Sequence, residues 1–550
     1  MQNQRQIAVS ILLEINQQGA YNNIALRRAL GTVPNWEPHQ KAFVTELVNG
    51  TLRNIILIDH IIFTKINKPS KVNKPSKINK PSKMKPFIME LLRTAVYQIC
   101  WMDKVPPSAA VNEAVKLART RGFDSLSGFV NGVLRNIVRD HENGTLPIPQ
   151  SPPDDFQHMA SYLSLRYSYP LWLAEKLIEW LDGKDGKDAK DNKSDKGDRA
   201  DKGDKGDKDY KYGKEAEMFC AKSHIPPEVT ICTNILKTTV DDLILDLEKS
   251  GIKCIKPTEP NDTFNSSANN YNTNNPCLHL KGVSDLKNLD AYKQGKFFVI
   301  DEGAYLVAKA LFESKAQSKT QSEAQSKSQS KAQSKTQTKI QKIIDLCAAP
   351  GGKSFVCAGL MKTKISDIIE KKMHITGKEM QITEEKMQII KEEMQIIEEE
   401  MQISEIISCD IHPHKIKLMK DMAKQLGANC IKPIAMDATI INPAWQEWAD
   451  AVILDAPCSG FGVIRKKPDI KYTKTYEDVL TLASLQRKLL TAAAFYVKPG
   501  GLLVYSTCTV TSEENIDNVH WFLENFSQFA LESPCTNHAG FFISRMRRQH

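Results

Sequence analysis

Apolar residues return every three to four positions through the first 140 residues. Ile7, Ile11, Leu12 and Ile15 share one face, Phe43, Leu47 and Val48 begin a second stripe, and Leu91, Leu92, Val96 and Ile99 a third. That period belongs to helices with one buried face, so region 1–145 is predicted to be an all-helical domain. Between 155 and 310 the pattern mixes. Leu171–Leu181 and Val240–Ser250 keep the helical period, whereas Val229–Leu236 and Phe297–Ile300 are short strand-like runs, which predicts a small α+β linker domain. From 340 to 550 the runs Ile343–Leu346, Ile406–Cys409, Ile431–Ala435, Ala451–Leu454 and Leu502–Tyr505 are short, apolar and rich in β-branched residues, with helical stretches between them. This alternation predicts an α/β, doubly wound, mainly parallel sheet.

Four tracts carry no such pattern of a packed core. Asn-Lys-Pro-Ser-Lys occurs at 67–71, 73–77 and 79–83, and proline every six residues forbids a helix there. Residues 183–214 are Asp, Lys and Gly with almost nothing to bury, and disorder is expected. A Gln-Ser-Lys unit recurs through 315–339. In the fourth tract, about 371–404, Met373, Met380, Met387, Met394 and Met401 recur every seven residues, and Ile390 and Ile397 follow a Met by three. That spacing predicts a charged helix with one apolar stripe. The expected reading of all four is expansion in surface loops, because long loops cost little extra closure entropy.

The 550 residues suffice for two to four domains. The formal charge of +9 permits a nucleic-acid partner without requiring one. Arg5, Arg27, Arg28, Arg53, Arg93, Arg119, Arg121, Arg135 and Arg139 are spread through the predicted helices, either as a solvated surface or as an RNA-binding face. No apolar run is long enough for a membrane span. The first residues lack a charged region followed by an apolar stretch, so a cytoplasmic location is expected. The twelve cysteines include no CxxC pair, so neither a disulfide framework nor a zinc site is expected.

The chemistry gathers at the predicted strand ends. Ile343-Ile-Asp-Leu346 runs into Cys347-Ala348-Ala349-Pro350-Gly351-Gly352-Lys353 and then a helix. Small residues after a first strand let a ligand approach the backbone, and the helix N-terminus favours polar ligand groups. Neither the GxGxxG nor the P-loop spacing is present. Asp410 follows the second strand, Asp437 the third, and Asp455 ends the fourth. These positions line the crevice of a doubly wound sheet and suit a nucleotide-like cofactor, with Asp410 on the ribose hydroxyls and Asp437 on an adenine amino group. Cys458 and Cys508 follow the fourth and fifth strands, which neighbour each other in this topology. Two thiols beside an acid fit nucleophilic chemistry on a pyrimidine. A thiolate adding to carbon 6 of cytosine makes carbon 5 enamine-like and able to accept a methyl group. Spacing alone does not decide which cysteine attacks.

These residues resemble the RsmB (Sun, Fmu) group of bacterial 16S rRNA cytosine-C5 methyltransferases, within the Nop2/Sun/NSUN class. The matching stretches are CAAPGGK at 347–353, DAPCSGFGVIRKKPDIK at 455–471, Val497-Lys-Pro-Gly-Gly501, YSTCTVTSEEN at 505–515 and Gly540-Phe-Phe-Ile-Ser-Arg-Met546. In the helical region ELVNGTLR at 46–53, Val105-Pro-Pro-Ser-Ala-Ala-Val-Asn-Glu113 and Gly128-Phe-Val-Asn-Gly-Val-Leu-Arg135 resemble the NusB-type domain of the same group, and Arg166–Leu173 and Asp301-Glu302 also match. The resemblance implies a NusB-like RNA-binding domain and a Rossmann-like methyltransferase domain that uses S-adenosyl-L-methionine. Its target would be a cytosine of 16S rRNA, of the position-967 type, and a monomer is expected. By the same resemblance Cys508 is the nucleophile and Cys458 assists product release. Asp455 contacts the cytosine edge near the methyl donor, and residues 347–353, Asp410 and Asp437 hold the cofactor. One departure stands out: Cys232-Thr-Asn234 replaces a sequence that carries an Arg before the Asn in that group. A transfer-RNA or 23S rRNA substrate, and a non-catalytic RNA-binding assembly factor, remain as alternatives.

Overall fold

The protein is described by a computed structural model covering residues 3–66, 84–153, 155–183, 213–257, 275–283, 286–313, 340–361, 405–538 and 540–550. The expectations for the proline repeat at 67–83, the Asp-Lys-Gly run at 184–212, the Gln-Ser-Lys repeat and the heptad stretch fall outside the described residues. The chain divides into two compact units. One comprises Met1–Pro227 with Val463–Thr475, the other Glu228–Gly462 with Tyr476–His550.

Within the first unit, the described part of region 1–145 is helical, as its periodicity predicts. The helices are Gln4–Gln18, Asn22–Gly31, Pro38–Arg53, Ile55–Ile66, Pro86–Trp101, Pro107–Thr120 and Asp124–Glu142. Three begin with proline at the first helical position, where its missing N–H costs nothing and its fixed φ suits the helix. The stripes converge on one core that includes Ile11, Leu12, Leu47, Leu52, Ile58, Leu92 and Val96.

The arginines of this unit differ in exposure. Arg27, Arg28, Arg119, Arg121, Arg135 and Arg139 are exposed. Arg93 is instead half-buried, donating to both oxygens of Asp59 at 2.8 and 2.7 Å and to Glu90 at 2.6 Å. Arg53 is 5% exposed and donates to the Arg465 carbonyl at 3.2 Å. Both hold the unit together, so neither offers its charge to an RNA phosphate. The Arg-Lys-Lys-Pro-Asp-Ile-Lys run at 465–471 also belongs to this unit. Its Lys471 is buried, donates to the carbonyls of Arg53 at 2.9 Å and Tyr167 at 3.1 Å, and lies 4.5 Å from the Tyr169 ring centroid. Burial pushes its ammonium down to about 7.

The second unit holds two sheets. The smaller is antiparallel, in the order β2-β3-β1-β4, built from β1 (Val229–Thr233), β2 (Lys253–Ile255), β3 (Cys277–Lys281) and β4 (Phe297–Val299). The strand expected over Val229–Leu236 stops at Thr233. There the buried Asn234 turns the chain, its amide donating to the carbonyls of Gly295 and Leu426, each at 2.8 Å.

The larger sheet carries the site. Its strands are β5 (Lys342–Asp345), β6 (Glu405–Asp410), β7 (Ile431–Ala435), β8 (Ala449–Asp455), β9 (Val497–Thr507), β10 (Phe529–His538) and β11 (Phe541–Arg548), in the order β10-β11-β9-β8-β5-β6-β7. Strands β7, β6, β5, β8 and β9 are parallel, and β11 and β10 close the edge antiparallel. The mainly parallel sheet is therefore as predicted. Strand β9 begins five residues earlier than the apolar run, because Val497-Lys-Pro-Gly-Gly501 is part of the strand and its pairing with β8 is irregular between Ala449 and Ala451. Helix Tyr476–Tyr496 packs on β8 and β9, and Leu454, Leu489, Leu490, Tyr505 and Phe522 share one core. Five parallel strands bring their carboxyl ends to one edge. The turn after Asp345 and residues Asp410, Asp455 and Thr507 all lie at that edge.

Candidate active site

The turn after β5 is fixed by the sheet beneath it. The Leu346 N–H donates to the Ile453 carbonyl at 3.0 Å and that of Ala348 to the Cys409 carbonyl at 2.8 Å, tying the turn to both neighbouring strands. The Gly351 N–H closes back on the Ala348 carbonyl at 2.7 Å, and a helix follows over 352–361. Gly351 has φ of 103°, and a Cβ there would stand 2.8 Å from both Met419 and Phe355. Only glycine keeps this backbone bare.

Below the turn Asp345 is fully buried, accepting from Ser354 Oγ at 2.8 Å. Its other oxygen has no hydrogen-bond partner among the described residues. Burial pushes its carboxyl up to about 6, against the opposing pull of Lys353. Cys347 is also raised by burial. Lys353, read from sequence with the cofactor turn, reaches across to β8. Its Nζ donates to Asp455 Oδ2 at 2.7 Å, with the lysine side chain 8% exposed. Burial would lower its ammonium, but Asp455 and Asp345 outweigh burial and raise it. Ser506, next to the end of β9, donates to the other Asp455 oxygen at 2.9 Å. Asp455 is thus held from both sides.

Of the acids at the next strand ends, Asp410 is buried and Asp437 half-buried. Asp410 accepts from the His412 N–H at 2.9 Å and has Lys415 at 3.5 Å. Asp437 accepts from the N–H and hydroxyl of Thr439 at 2.9 and 2.7 Å, and those bonds hold its carboxyl below the ordinary range. Ile411 and Ile440, which flank these acids in sequence, are 58% and 66% exposed.

The two cysteines predicted to meet do so. Cys458 Sγ and Cys508 Sγ are 3.2 Å apart, and the Cys508 N–H donates to Cys458 Sγ at 3.3 Å. Half-buried Cys458 is pushed well above the ordinary thiol range by its hydrogen bond with Cys508, by desolvation, and by the negative charge of Glu514 and Asp455 nearby. Strand β8 delivers Cys458 through Asp455-Ala-Pro, where the Ala456 N–H donates to the Ser506 carbonyl at 2.9 Å. Beyond it the Gly462 N–H donates to the Cys508 carbonyl at 3.0 Å. A Cβ on Gly462 would sit 1.9 Å from the Gly540 carbonyl oxygen, so the loop closes only with glycine there.

Sequence reasoning passed over Ser506 and Glu514. Glu514 is fully buried and accepts from the Ser459 N–H and hydroxyl, Thr511 and Gln486. Its place in a polar Thr-Ser-Glu-Glu-Asn run gave no sign of burial. At the departure from the family pattern, Thr233, which precedes Asn234, is buried, as is Cys232. Cys232 lies in the small sheet, directly across from Cys277.

Comparison with known proteins converges on one family. Residues 394–547 match the 16S rRNA methyltransferase RsmB/F family, and residues 2–139 match the NusB family. The chain is 31% identical over 96% of its length to the probable ribosomal RNA small subunit methyltransferase B of Bacillus subtilis (strain 168), covering 89% of that protein. It is 28% identical over 96% of its length to the corresponding probable enzyme of Synechocystis sp. (strain PCC 6803), covering 90% of it. The crystal structure of PH0851 aligns over 100% of this chain and 99% of that one, with a TM-score of 0.62 and 20% identity, which supports the fold. The chain belongs to the RsmB/F family of 16S rRNA methyltransferases, with a NusB-type helical region preceding the methyltransferase sheet.

Proposed function

We propose that this protein methylates carbon 5 of a cytosine in 16S rRNA, of the position-967 type, through a covalent bond between Cys508 and carbon 6. The observation that carries the proposal is the thiol pair, 3.2 Å apart, beside an aspartate held by Lys353 and Ser506. An RNA-binding module with no catalytic role has no use for two juxtaposed thiols at the carboxyl ends of adjacent strands.

The residues present fit S-adenosylmethionine. The turn at 347–353 offers bare backbone where a Cβ would fill the space, Asp410 and Asp437 offer carboxylate oxygens for ribose hydroxyls and an amino group, and Ile411 and Ile440 are large exposed apolar side chains of the kind an adenine ring covers. When bound, the cofactor supplies an electrophilic methyl group. The protein's own residues do the rest. Cys508 adds to carbon 6 as the thiolate and pushes electron density to carbon 5. Asp455, fixed by Lys353 and Ser506, meets the polar edge of the base. After methylation a base takes the carbon 5 proton, the C–H electron pair re-forms the 5,6 double bond, and the carbon–sulfur bond breaks to return Cys508 as the thiolate. By the family resemblance Cys508 is the attacking sulfur and Cys458 assists release, and the 3.2 Å separation of the two sulfurs supports their working as a pair.

A base inside a duplex cannot meet a thiol on one face and a methyl donor beside it, so the target is single-stranded or flipped out of its stack. The exposed arginines of the helical region, Arg27, Arg28 and Arg135, supply sequence-tolerant phosphate contacts. The protein acts in the cytoplasm, where the rRNA is found. Bisulfite sequencing of rRNA from a strain lacking the gene, with and without the purified protein added back, tests the proposal. One unconverted 16S cytosine should disappear on deletion and return on addition. Loss of a tRNA or 23S signal instead would move the substrate and keep the chemistry.

A further inference from the structure

Glu514 is a buried carboxylate that forms no ion pair among the described residues. Burying an unpaired charge is costly unless its lone pairs are fully engaged. Here four donors converge on it. The Ser459 N–H and Gln486 Nε2 donate to Oε1 at 2.8 and 3.0 Å, and the hydroxyls of Ser459 and Thr511 donate to Oε2 at 2.5 and 2.8 Å. The same partners grip both cysteines' neighbours. Gln486 Nε2 also donates to the Pro457 carbonyl at 2.9 Å, and the Ser459 hydroxyl lies 2.7 Å from that of Thr509. Pro457 and Ser459 flank Cys458, and Thr509 follows Cys508. Behind them, Tyr505 donates to the Glu514 carbonyl at 2.5 Å and Asn515 donates to the Thr509 carbonyl at 3.0 Å.

We propose that Glu514 is a positioning residue for the two-thiol centre: one carboxylate ties the loop carrying Cys458 to the loop carrying Cys508 and so sets the distance between the sulfurs. The proposal rests on the reading of those sulfurs as the working groups. It also says what the conservative replacement does. Oε1 faces two N–H donors, which cannot reverse. Oε2 faces two hydroxyls, which can rotate and accept. A glutamine therefore fits with its oxygen in the place of Oε1 and its amide nitrogen in the place of Oε2. It keeps the geometry and loses the charge.

The test uses full-length wild type, Glu514→Ala and Glu514→Gln. Diamide accepts two electrons and two protons from a thiol pair as it is reduced to the hydrazine, and peptide mass mapping follows the Cys458–Cys508 disulfide with time. Methyl transfer gives kcat and KM in parallel. A displacement of the order of 1 Å costs about a hundredfold in rate. Glu514→Ala should therefore form the disulfide and turn over about a hundredfold more slowly, with KM for RNA and cofactor within about twofold, while Glu514→Gln recovers both rates to within about threefold. An alanine variant with wild-type rates would overturn the proposal, and so would a glutamine variant as slow as the alanine one. If Glu514→Ala does not fold, Thr511→Val and Ser459→Ala each remove one of the four bonds, and an unchanged disulfide rate in both would overturn it equally. The disulfide measurement needs neither RNA nor cofactor. Failure of the cytosine reading would show separately, as wild-type protein that makes no 5-methylcytosine.

Discussion

Replacing Lys353 by methionine isolates the charge that holds Asp455. The lysine Nζ lies 2.7 Å from Asp455 Oδ2, with side-chain exposures of 8% and 19%. At an effective dielectric near 20 the gross attraction is about 6 kcal/mol, most of it offset by the desolvation of both groups. The net cost of breaking such a pair by removing one partner is about 3–5 kcal/mol, because the other charge stays buried without its counterion. Asp345 lies close enough to share the loss. Lys353→Met should therefore lower the opening free energy of β5 and β8 by about 3–5 kcal/mol. Urea-dependent hydrogen exchange of peptides from those strands reads the sheet itself and does not rely on one global transition. The double variant Lys353→Met, Asp455→Asn removes both charges and should recover most of that loss, so the two single effects should fail to add by about 2 kcal/mol or more. A single-variant cost below about 1 kcal/mol, or strict additivity in the cycle, would refute the claim that this pair is buried and coupled.

Asp410→Ala removes the proposed ribose partner. A hydrogen bond to a charged group is worth about 1.5–3 kcal/mol, so the Kd for S-adenosylmethionine should rise about ten- to a hundredfold by calorimetry, and an unchanged Kd would remove Asp410 from that role. Asp345 is held near 6 in the folded protein, above the ordinary value of about 4, so the folded state binds the extra proton between those limits. Stability from this group is complete below about pH 4 and is lost as pH rises through 6, by about 3 kcal/mol. The difference in urea stability between wild type and Asp345→Asn should fall over that window and stay flat above it, and a difference that rises with pH would contradict the assignment. Reversing Arg27, Arg28 and Arg135 to Glu should leave cofactor affinity intact and shrink the salt slope of rRNA binding by about 2. An unchanged slope in filter binding would place the RNA contacts elsewhere.

The periodicity of hydrophobic residues was enough to read the helical region and the parallel strands, because both are decided by which face is buried. The meeting of Cys458 and Cys508 was legible for the same reason: once β8 and β9 are neighbours, residues just past their ends share a rim. What the sequence hid depends on long side chains and on burial of polar groups. Lys353 sits in a cofactor-like turn, yet its chain spans to Asp455 on another strand. Arg53 and Arg93 resemble their exposed neighbours in sequence, and only the packing of helices around Asp59, Glu90 and the Arg465 carbonyl shows them to be structural. Val497-Lys-Pro-Gly-Gly501 carries no strand-like apolar run, yet the strand includes its proline where pairing with β8 is already irregular. Glu514 lies in a run of polar residues that carries no burial pattern at all.

The central claim is that Cys508 attacks and Cys458 releases. Its most direct test is a denaturing gel of each single alanine variant after incubation with 16S rRNA fragment and S-adenosylmethionine. Cys458→Ala should accumulate a protein–RNA complex that survives denaturant, because attack proceeds and release does not, and Cys508→Ala should form neither complex nor 5-methylcytosine. A trapped complex with Cys508→Ala and none with Cys458→Ala would reverse the two roles, and its absence from both would contradict covalent catalysis by this pair.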